Sequence, residues 1–364
     1  MASNYSLGYN FLGNSGLKVS NICLGTMSFG QGEGMRPGQA DEALSHLIMD
    51  RFVELGGNFF DTANIYPIPL TGISESFLGK WLLKRQRDRY VIATKASGSM
   101  DKTDVNARGL SRKSLISAVE GSLNRLNTSY IDLFQTHVWD DATPLEETFR
   151  TLNDLVRIGK VRYVGVSNVL GWQLQKIVDT CKYMGLESVV SLQAQYNLLC
   201  RETEWELGDV CQREGVALLP WSPLKGGWLT GKIKRDQAPG SSECRIGWVN
   251  ECEKGRANQS HPSYSQLASQ ENVWDMLEQM EKIASNHSRS VSQVALKWLL
   301  QRPAVPSIVV GVRTLQQLED NMGAGDTNWN LSQEEMNELN KLSQPKIPYP
   351  YEMVWRMSGD RKRK

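Results

Sequence analysis

Two rhythms of apolar and polar residues alternate along the chain. Short, nearly unbroken apolar runs recur eight times, at 19–25 (VSNICLG), 58–63 (NFFDTA), 90–95 (YVIATK), 130–137 (YIDLFQTH), 161–168 (VRYVGVSN), 189–197 (VVSLQAQYN), 216–223 (VALLPWSP) and 307–312 (SIVVGV). Between them lie longer segments whose apolar residues fall three and four apart, the spacing of one helix face. One such segment opens on Ser111 as a cap. Another has Thr143 as cap, Pro144 at the first helical position, Glu146 in the first turn and Gly159 at its end. Strands that are apolar throughout are covered on both faces, which implies a parallel sheet with crossover helices. Eight strand–helix repeats close most economically into a (β/α)8 TIM barrel. A doubly wound open sheet is disfavoured because no G-x-G-x-x-G follows the first run.

The remaining length has visible places. Residues 9–20 (YNFLGNSGLKVS) read as an N-terminal β-hairpin turning at Asn14 to Gly16, and 232–270 as a polar, irregular stretch. A C-terminal helical extension near 332–343 precedes a proline-rich segment. The whole chain, 1–364, reads as a single domain with its core at about 10–345 and a tail at 346–364.

Three of the apolar runs end on ionisable residues: Asp61, Lys95 and His137. In a (β/α)8 barrel, chemistry gathers where the strands end, so these three should converge on one mouth, with Tyr66 just beyond the second strand. A buried lysine and aspartate are costly unless paired, so a structural ion pair is one reading of Asp61 and Lys95. Tyr66 favours another. A neighbouring ammonium lowers a phenol's pKa, so a Tyr beside a Lys that an Asp holds is a tuned proton donor for an oxygen. His137 could orient the same oxygen by a hydrogen bond.

Composition narrows the function classes. Forty-one basic residues against forty acidic ones leave a net charge of +1, no electrostatic basis for nucleic acid as a main partner. The N-terminus lacks a basic region followed by an apolar one, so no signal peptide is expected. No window of eighteen apolar residues exists to span a membrane. The six cysteines (Cys23, Cys181, Cys200, Cys211, Cys244, Cys252) show no C-x-x-C pair, which points to reduced thiols and a cytoplasmic location. The four histidines (His46, His137, His261, His287) show no ligand spacing, so no metal is expected and a metal-dependent barrel hydrolase is disfavoured.

FDTANIY, the TK closing the third run, DLFQTH, GVSN, QAQYNLL, WSPLKGGWLTGK and GVRTLQQLEDN occur in order across residues 10 to about 325. Together they resemble the aldo-keto reductase family, closest to its bacterial-type reductases and the related potassium-channel β subunits. The resemblance implies a catalytic tetrad of Asp61, Tyr66, Lys95 and His137, with Tyr66 as general acid, Lys95 tuning it, Asp61 anchoring Lys95 and His137 positioning the carbonyl. The channel β subunits carry asparagine at the histidine position, so His137 favours a true catalyst. The resemblance also implies NADP(H) as cofactor. Thr26 and Asp61 join its site, Ser167, Asn168 and Gln193 hold the carboxamide, and Trp221 stacks on the nicotinamide. Ser222, Pro223, Leu224 and Lys232 follow the pyrophosphate. Gly311, Arg313 and Gln317 lie toward the 2′-phosphate, and Asp320 and Asn321 toward the adenine. Arg313 suits a phosphate on physical grounds as well, as a planar guanidinium near a helix start at Thr314.

Two features depart from simple motifs. Residues 226–232 satisfy G-x-x-x-x-G-K, but Ile233 replaces the hydroxyl needed for magnesium, so the match is a coincidence. After the tyrosine the chain reads YPIPLTGISE, longer than the family pattern and with two prolines, while Ser74, Glu75 and Gly79 are kept. That segment alters a wall of the substrate mouth. The expected activity is NADPH-dependent reduction of a small-molecule aldehyde or ketone to an alcohol. The alternative is a nucleotide-sensing regulatory subunit with little turnover. The sequence leaves open both the substrate and whether the protein is a homo-oligomer.

Overall fold

Eight parallel strands surround one apolar interior in the computed structural model, which describes residues 6–30, 38–240, 243–251 and 262–359. A two-stranded antiparallel hairpin, β1 (Tyr9–Phe11) and β2 (Lys18–Ser20), comes first. The barrel strands follow: β3 (Ile22–Gly25), β4 (Phe59–Asp61), β5 (Val91–Ala96), β6 (Ile131–Thr136), β7 (Val161–Ser167), β8 (Val189–Gln195), β9 (Ala217–Trp221) and β10 (Ile308–Gly311). Their lateral order is β10-β3-β4-β5-β6-β7-β8-β9, each hydrogen-bonded to the next. The seam between β9 and β10 is bridged by Leu218 N–H, which donates to the Ala304 carbonyl at 2.7 Å. The fold is thus the expected (β/α)8 barrel.

Helices α1 (Glu42–Glu54), α2 (Ile73–Leu82), α3 (Arg112–Leu126), α4 (Leu145–Arg157), α5 (Gly171–Met184) and α6 (Leu207–Glu214) each follow a strand. Between β9 and β10 lie α7 (Arg245–Glu251), α8 (Tyr264–Ala268), α9 (Glu271–Asn286) and α10 (Val291–Leu300). Then come α11 (Leu315–Met322), α12 (Gln333–Leu342) and α13 (Tyr351–Ser358), the last two forming the C-terminal extension. Ser111 caps α3 through its side chain, and Ser332 caps α12 in a reciprocal box with Glu335. Such caps typically contribute about 1 kcal/mol each.

Three local expectations change. The run 19–25 is two strands, broken by a bend at Asn21, whose backbone N–H donates to the Gly8 carbonyl at 2.9 Å while its side-chain Nδ2 donates to the Gly325 carbonyl at 2.8 Å. Thr143 does not cap α4, because its hydroxyl donates to Asp140 at 2.7 Å, and Pro144 holds the cap position. The stretch 232–270 contains the two short helices α7 and α8 rather than only irregular chain.

Strand period sets the barrel interior. Side chains two apart share a face, and the inward series begins with Cys23, Phe59, Val91, Ala93, Leu133, Ala217, Leu219 and Val309, closed below by Leu12 and Val19 of the hairpin segment. At Gly13, with φ +56°, a Cβ would stand 2.4 Å from the Val190 carbonyl oxygen, so only glycine lets the hairpin sit against the barrel floor. Continued upward, the same inward parity delivers Asp61 after Phe59, Lys95 after Ala93, Gln135 after Leu133, Gln193 after Ser191 and Trp221 after Leu219. The interior is apolar at the floor and polar at the C-terminal mouth. Gly165 leaves room for that polar layer, since a Cβ there would lie 2.5 Å from Ser191 Oγ and 3.1 Å from Gln135 Cγ.

Candidate active site

Parallel register brings the strand ends to one level, with Lys95 opposite Gln135 and Ser167 opposite Gln193. Lys95 is fully buried, at 0% exposure, and its Nζ donates to Asp61 Oδ1 at 2.6 Å and to the Thr62 carbonyl at 2.7 Å. The other Asp61 oxygen accepts from Gln193 Nε2 at 2.8 Å and Gln135 Nε2 at 3.3 Å. Tyr66 and His137 meet above this pair. The phenol oxygen is 3.4 Å from His137 Nε2, the rings stand edge to face with centroids 5.6 Å apart, and the Lys95 ammonium lies 5.1 Å from the Tyr66 ring centre. His137 sits one residue beyond β6, its N–H donating to the Ala96 carbonyl at 3.0 Å.

The electrostatics follow from burial. Burial alone would lower the Lys95 pKa, but Asp61 and Tyr66 outweigh it and hold the pKa above its ordinary value, so Lys95 stays an ammonium. Burial, reinforced by Lys95, drives His137 down to about 3, so its imidazole is neutral at working pH. Its Nδ1 is buried with no partner among the described residues. A buried unpaired acceptor is better tolerated than an unpaired N–H, which places the proton on Nε2, facing Tyr66. Tyr66 reverses the expected direction. Burial raises its pKa and Asp61 adds to the rise, and together they exceed the lowering by Lys95 and Arg245. Tyr66 is therefore a protonated phenol.

The expected carboxamide residues join the same network. Ser167 Oγ donates to the Gln193 carbonyl at 2.9 Å, and Asn168 Nδ2 bonds Ser167 Oγ and the His137 carbonyl, both at 2.9 Å. Trp221 Nε1 donates to Asn168 Oδ1 at 3.2 Å. Asn168 holds φ +52° and Ser222 φ +54°, both in the left-handed region that asparagine tolerates better than serine. The Ser222 carbonyl accepts from Asn197 Nδ2 at 3.0 Å, Pro223 is buried and Leu224 half-buried. Lys232 is exposed at the end of a glycine-rich turn, not at the head of a phosphate-binding helix. Thr26 is buried, its hydroxyl engaged with the Asp61 carbonyl at 3.1 Å and Ser74 Oγ at 2.6 Å, so it ties β3 to β4 and α2. Glu75, also kept in the altered segment, accepts from Thr94 at 2.6 Å and Arg125 at 2.7 Å.

A second group lies past β10. Gly311 ends the strand, Arg313 N–H donates to Gln317 Oε1 at 2.9 Å, and Thr314 caps α11 as expected. Asp320 accepts from Gln293 through its carbonyl at 2.8 Å and its carboxylate at 3.2 Å, and Asn321 is buried. One cation that the sequence reading did not single out links the two groups. Arg245, at the start of α7, is held below its ordinary pKa by burial and by Arg313, with Tyr66 opposing. Nothing in the local pattern of 232–270 marks it, because its position depends on α7 packing against the Gly226–Gly227 turn.

A lysine–aspartate pair, a protonated phenol and a neutral imidazole gathered at one mouth form a set that can pass a proton to an oxygen. A profile of the aldo/keto reductase family matches residues 21–344, and the chain belongs to that family of oxidoreductases. It is 34% identical to the uncharacterized oxidoreductase YrpG of Bacillus subtilis, covering 92% of this chain and 95% of that one. It is 33% identical to the aldo-keto reductase dtxS3 of Metarhizium robertsii, over 94% and 93%. To the norsolorinic acid reductase of Aspergillus flavus it is 31% identical, over 96% and 84%.

Proposed function

We propose that the protein is an NADPH-dependent reductase that converts an aldehyde or ketone to an alcohol with Tyr66 as general acid. The supporting observation is the Tyr66 hydroxyl, protonated and set between the Lys95 ammonium and the neutral His137. The bound nicotinamide would supply the hydride. Tyr66 donates its proton to the carbonyl oxygen as negative charge develops there. The Lys95 ammonium stabilises the phenolate left behind, and Asp61 keeps that ammonium in place. His137 Nε2–H donates to the same oxygen and orients it. General acid catalysis of this kind is worth roughly 10² to 10⁴ in rate.

The donor set suits a dinucleotide phosphate. Burial holds the Arg245 pKa down and the charge of Arg313 adds to it, so a bound polyanion would relieve both the desolvation and the repulsion of these two guanidinium groups. Asp61, Ser167, Asn168, Gln193 and Trp221 would hold the nicotinamide end. Ser222, Pro223, Leu224 and Lys232 would follow the pyrophosphate, Gly311, Arg313 and Gln317 would face the adenosine 2′-phosphate, and Asp320 and Asn321 the adenine. Thr26 would act only through the strand ends it ties. The five free cysteines among the described residues support a cytoplasmic location.

The test is steady-state cofactor oxidation with a panel of aldehydes, ketones and quinones. Tyr66→Phe should lose roughly 10² to 10⁴ in turnover while binding NADPH nearly as before. Unchanged turnover in that variant would remove Tyr66 from the chemistry. Tight cofactor binding with no turnover in the unaltered protein would favour the nucleotide-sensing alternative.

A further inference from the structure

Asn197 lies two residues beyond β8 and is fully buried, at 0% exposure. Its own loop fixes it first. Its backbone N–H and carbonyl exchange hydrogen bonds with Cys200, at 3.1 Å and 3.0 Å, and its Oδ1 accepts from the Leu199 N–H at 2.9 Å. An asparagine that bonds the backbone two residues on closes a turn by itself. The side-chain amide is thereby aimed, and its Nδ2 crosses to the Ser222 carbonyl at 3.0 Å. Register explains the reach, since Gln195 and Trp221 are partners at the ends of β8 and β9.

The segment that Asn197 reaches is conformationally demanding. Four of the six residues from 222 to 227 hold positive φ: Ser222 at +54°, Lys225 at +46°, Gly226 at +67° and Gly227 at +117°. Glycine adopts such angles freely, whereas a residue with a Cβ resists them. Ser222 is the first of these and sets the direction of everything after it. Two donors meet at its carbonyl. The Lys225 N–H, at 2.9 Å, closes the turn locally and forms only when the turn does. Asn197 bonds the same oxygen from a different strand end, whether or not the turn is closed.

We infer that Asn197 is a positioning residue for the dinucleotide: by holding the Ser222 carbonyl it keeps Ser222 left-handed, and with it the segment that receives the pyrophosphate. This rests on the reading of Ser222, Pro223 and Leu224 as that segment. Without the bond, Ser222 relaxes toward ordinary angles. A ligand whose site is formed only part of the time binds with an affinity lowered by that fraction. Asp61, Lys95 and His137 stand on or just beyond β4, β5 and β6 and Tyr66 just past β4, so the loaded enzyme keeps its chemistry. Asn197 therefore governs cofactor affinity and not the rate of the loaded site.

The experiment uses Asn197→Ser, whose hydroxyl can still accept from the Leu199 N–H but is too short to reach Ser222. Ser222→Gly, which takes a left-handed backbone without penalty, is made alone and in combination. In Asn197→Ser the NADPH Kd should rise about threefold to tenfold, the worth of one hydrogen bond, with kcat at saturating NADPH within about twofold. In the Ser222→Gly protein the same substitution should change Kd by less than about twofold, because glycine needs no restraint. An unchanged Kd in Asn197→Ser, an equal rise in both backgrounds, or a kcat that falls as far as the affinity overturns the inference. Where Asn197→Ser does not fold, Asn197→Ala takes its place with the same expected results. If neither folds, Asn197 serves the fold at large and the inference is overturned. If the unaltered protein does not bind NADPH, the cofactor reading fails instead, and the restraint is judged by hydrogen exchange of the Lys225 N–H. Exchange about threefold to tenfold faster in Asn197→Ser supports the restraint, and equal exchange overturns it.

Discussion

The most quantitative consequence of the site concerns His137 and acid. In the fold its pKa is pushed down to about 3, against 6.5 for an ordinary histidine. Below pH 6.5 the unfolded chain therefore takes up a proton at this position that the folded protein refuses. By linkage, the stability contributed by the neutral imidazole is present above pH 6.5 and is lost as pH falls toward 3. Each pH unit inside that window costs about 1.4 kcal/mol, so going from pH 7 to pH 4.5 removes about 2.5 kcal/mol.

Many carboxylates titrate over the same range, so the effect must be read as a difference. His137→Asn keeps a neutral polar side chain and removes the titration. For 364 residues, unfolding entropy of about 2.1 cal/mol/K per residue converts 2.5 kcal/mol into roughly 3 °C. The Tm of the unaltered protein minus that of His137→Asn should therefore drop by roughly 3 °C between pH 7 and pH 4.5, measured by calorimetry. A difference that does not move with pH would mean that His137 titrates normally in the fold, and the argument for a neutral Nε2–H donor would go with it.

Two further outcomes follow from the neighbouring charges. Burial raises the Tyr66 pKa and Lys95 pulls it back; under the proposed mechanism reduction needs the protonated phenol, so activity should be lost as pH rises through that pKa. Lys95→Met should lower the rate and move both the alkaline limb and the ultraviolet titration of Tyr66 to higher pH, and an unmoved titration would leave Lys95 a purely structural partner of Asp61. At Arg313, a charge-assisted phosphate contact of about 1.5–3 kcal/mol corresponds to a preference for NADPH over NADH of tenfold to a hundredfold or more. Arg313→Ala should bring the two Kd values toward parity by fluorescence titration, and equal values in the unaltered protein would refute the assignment.

Much of this was legible because strand geometry is a period of two. Phe59 and Asp61, Ala93 and Lys95, and Leu133 and Gln135 share an inward face wherever those runs are strands, so the apolar floor predicts which side chains reach the mouth. What was not legible depends on contacts between distant segments. Arg245 is placed by a helix packed on a glycine turn from another part of the chain, and Trp139 meets Trp172 only because consecutive strands lie side by side. Thr143 has the residue type of a cap but is drawn into the Asp140 turn by a stronger local acceptor. The direction of the Tyr66 pKa failed for a related reason. Sequence names the charges near a phenol but not how much water surrounds it, and here burial outweighs the ammonium.

The polar layer at the mouth also explains why its members should act as a unit. A barrel selected for stability alone would continue the apolar filling of Phe59, Ala93 and Leu133 upward, since a buried ion pair often fares no better than a packed apolar one. Instead Asp61 receives Lys95 on one oxygen and two amides on the other, which leaves its carboxylate well satisfied. The Lys95 ammonium has three N–H groups, of which Asp61 and the Thr62 carbonyl take two. The Lys95 charge also lowers the titration of Tyr66, whose ring centre lies 5.1 Å from the ammonium, against the larger effect of burial. Asp61, Lys95 and Tyr66 are electrostatically coupled, so if the proposed mechanism holds, their separate losses in turnover should overlap rather than sum.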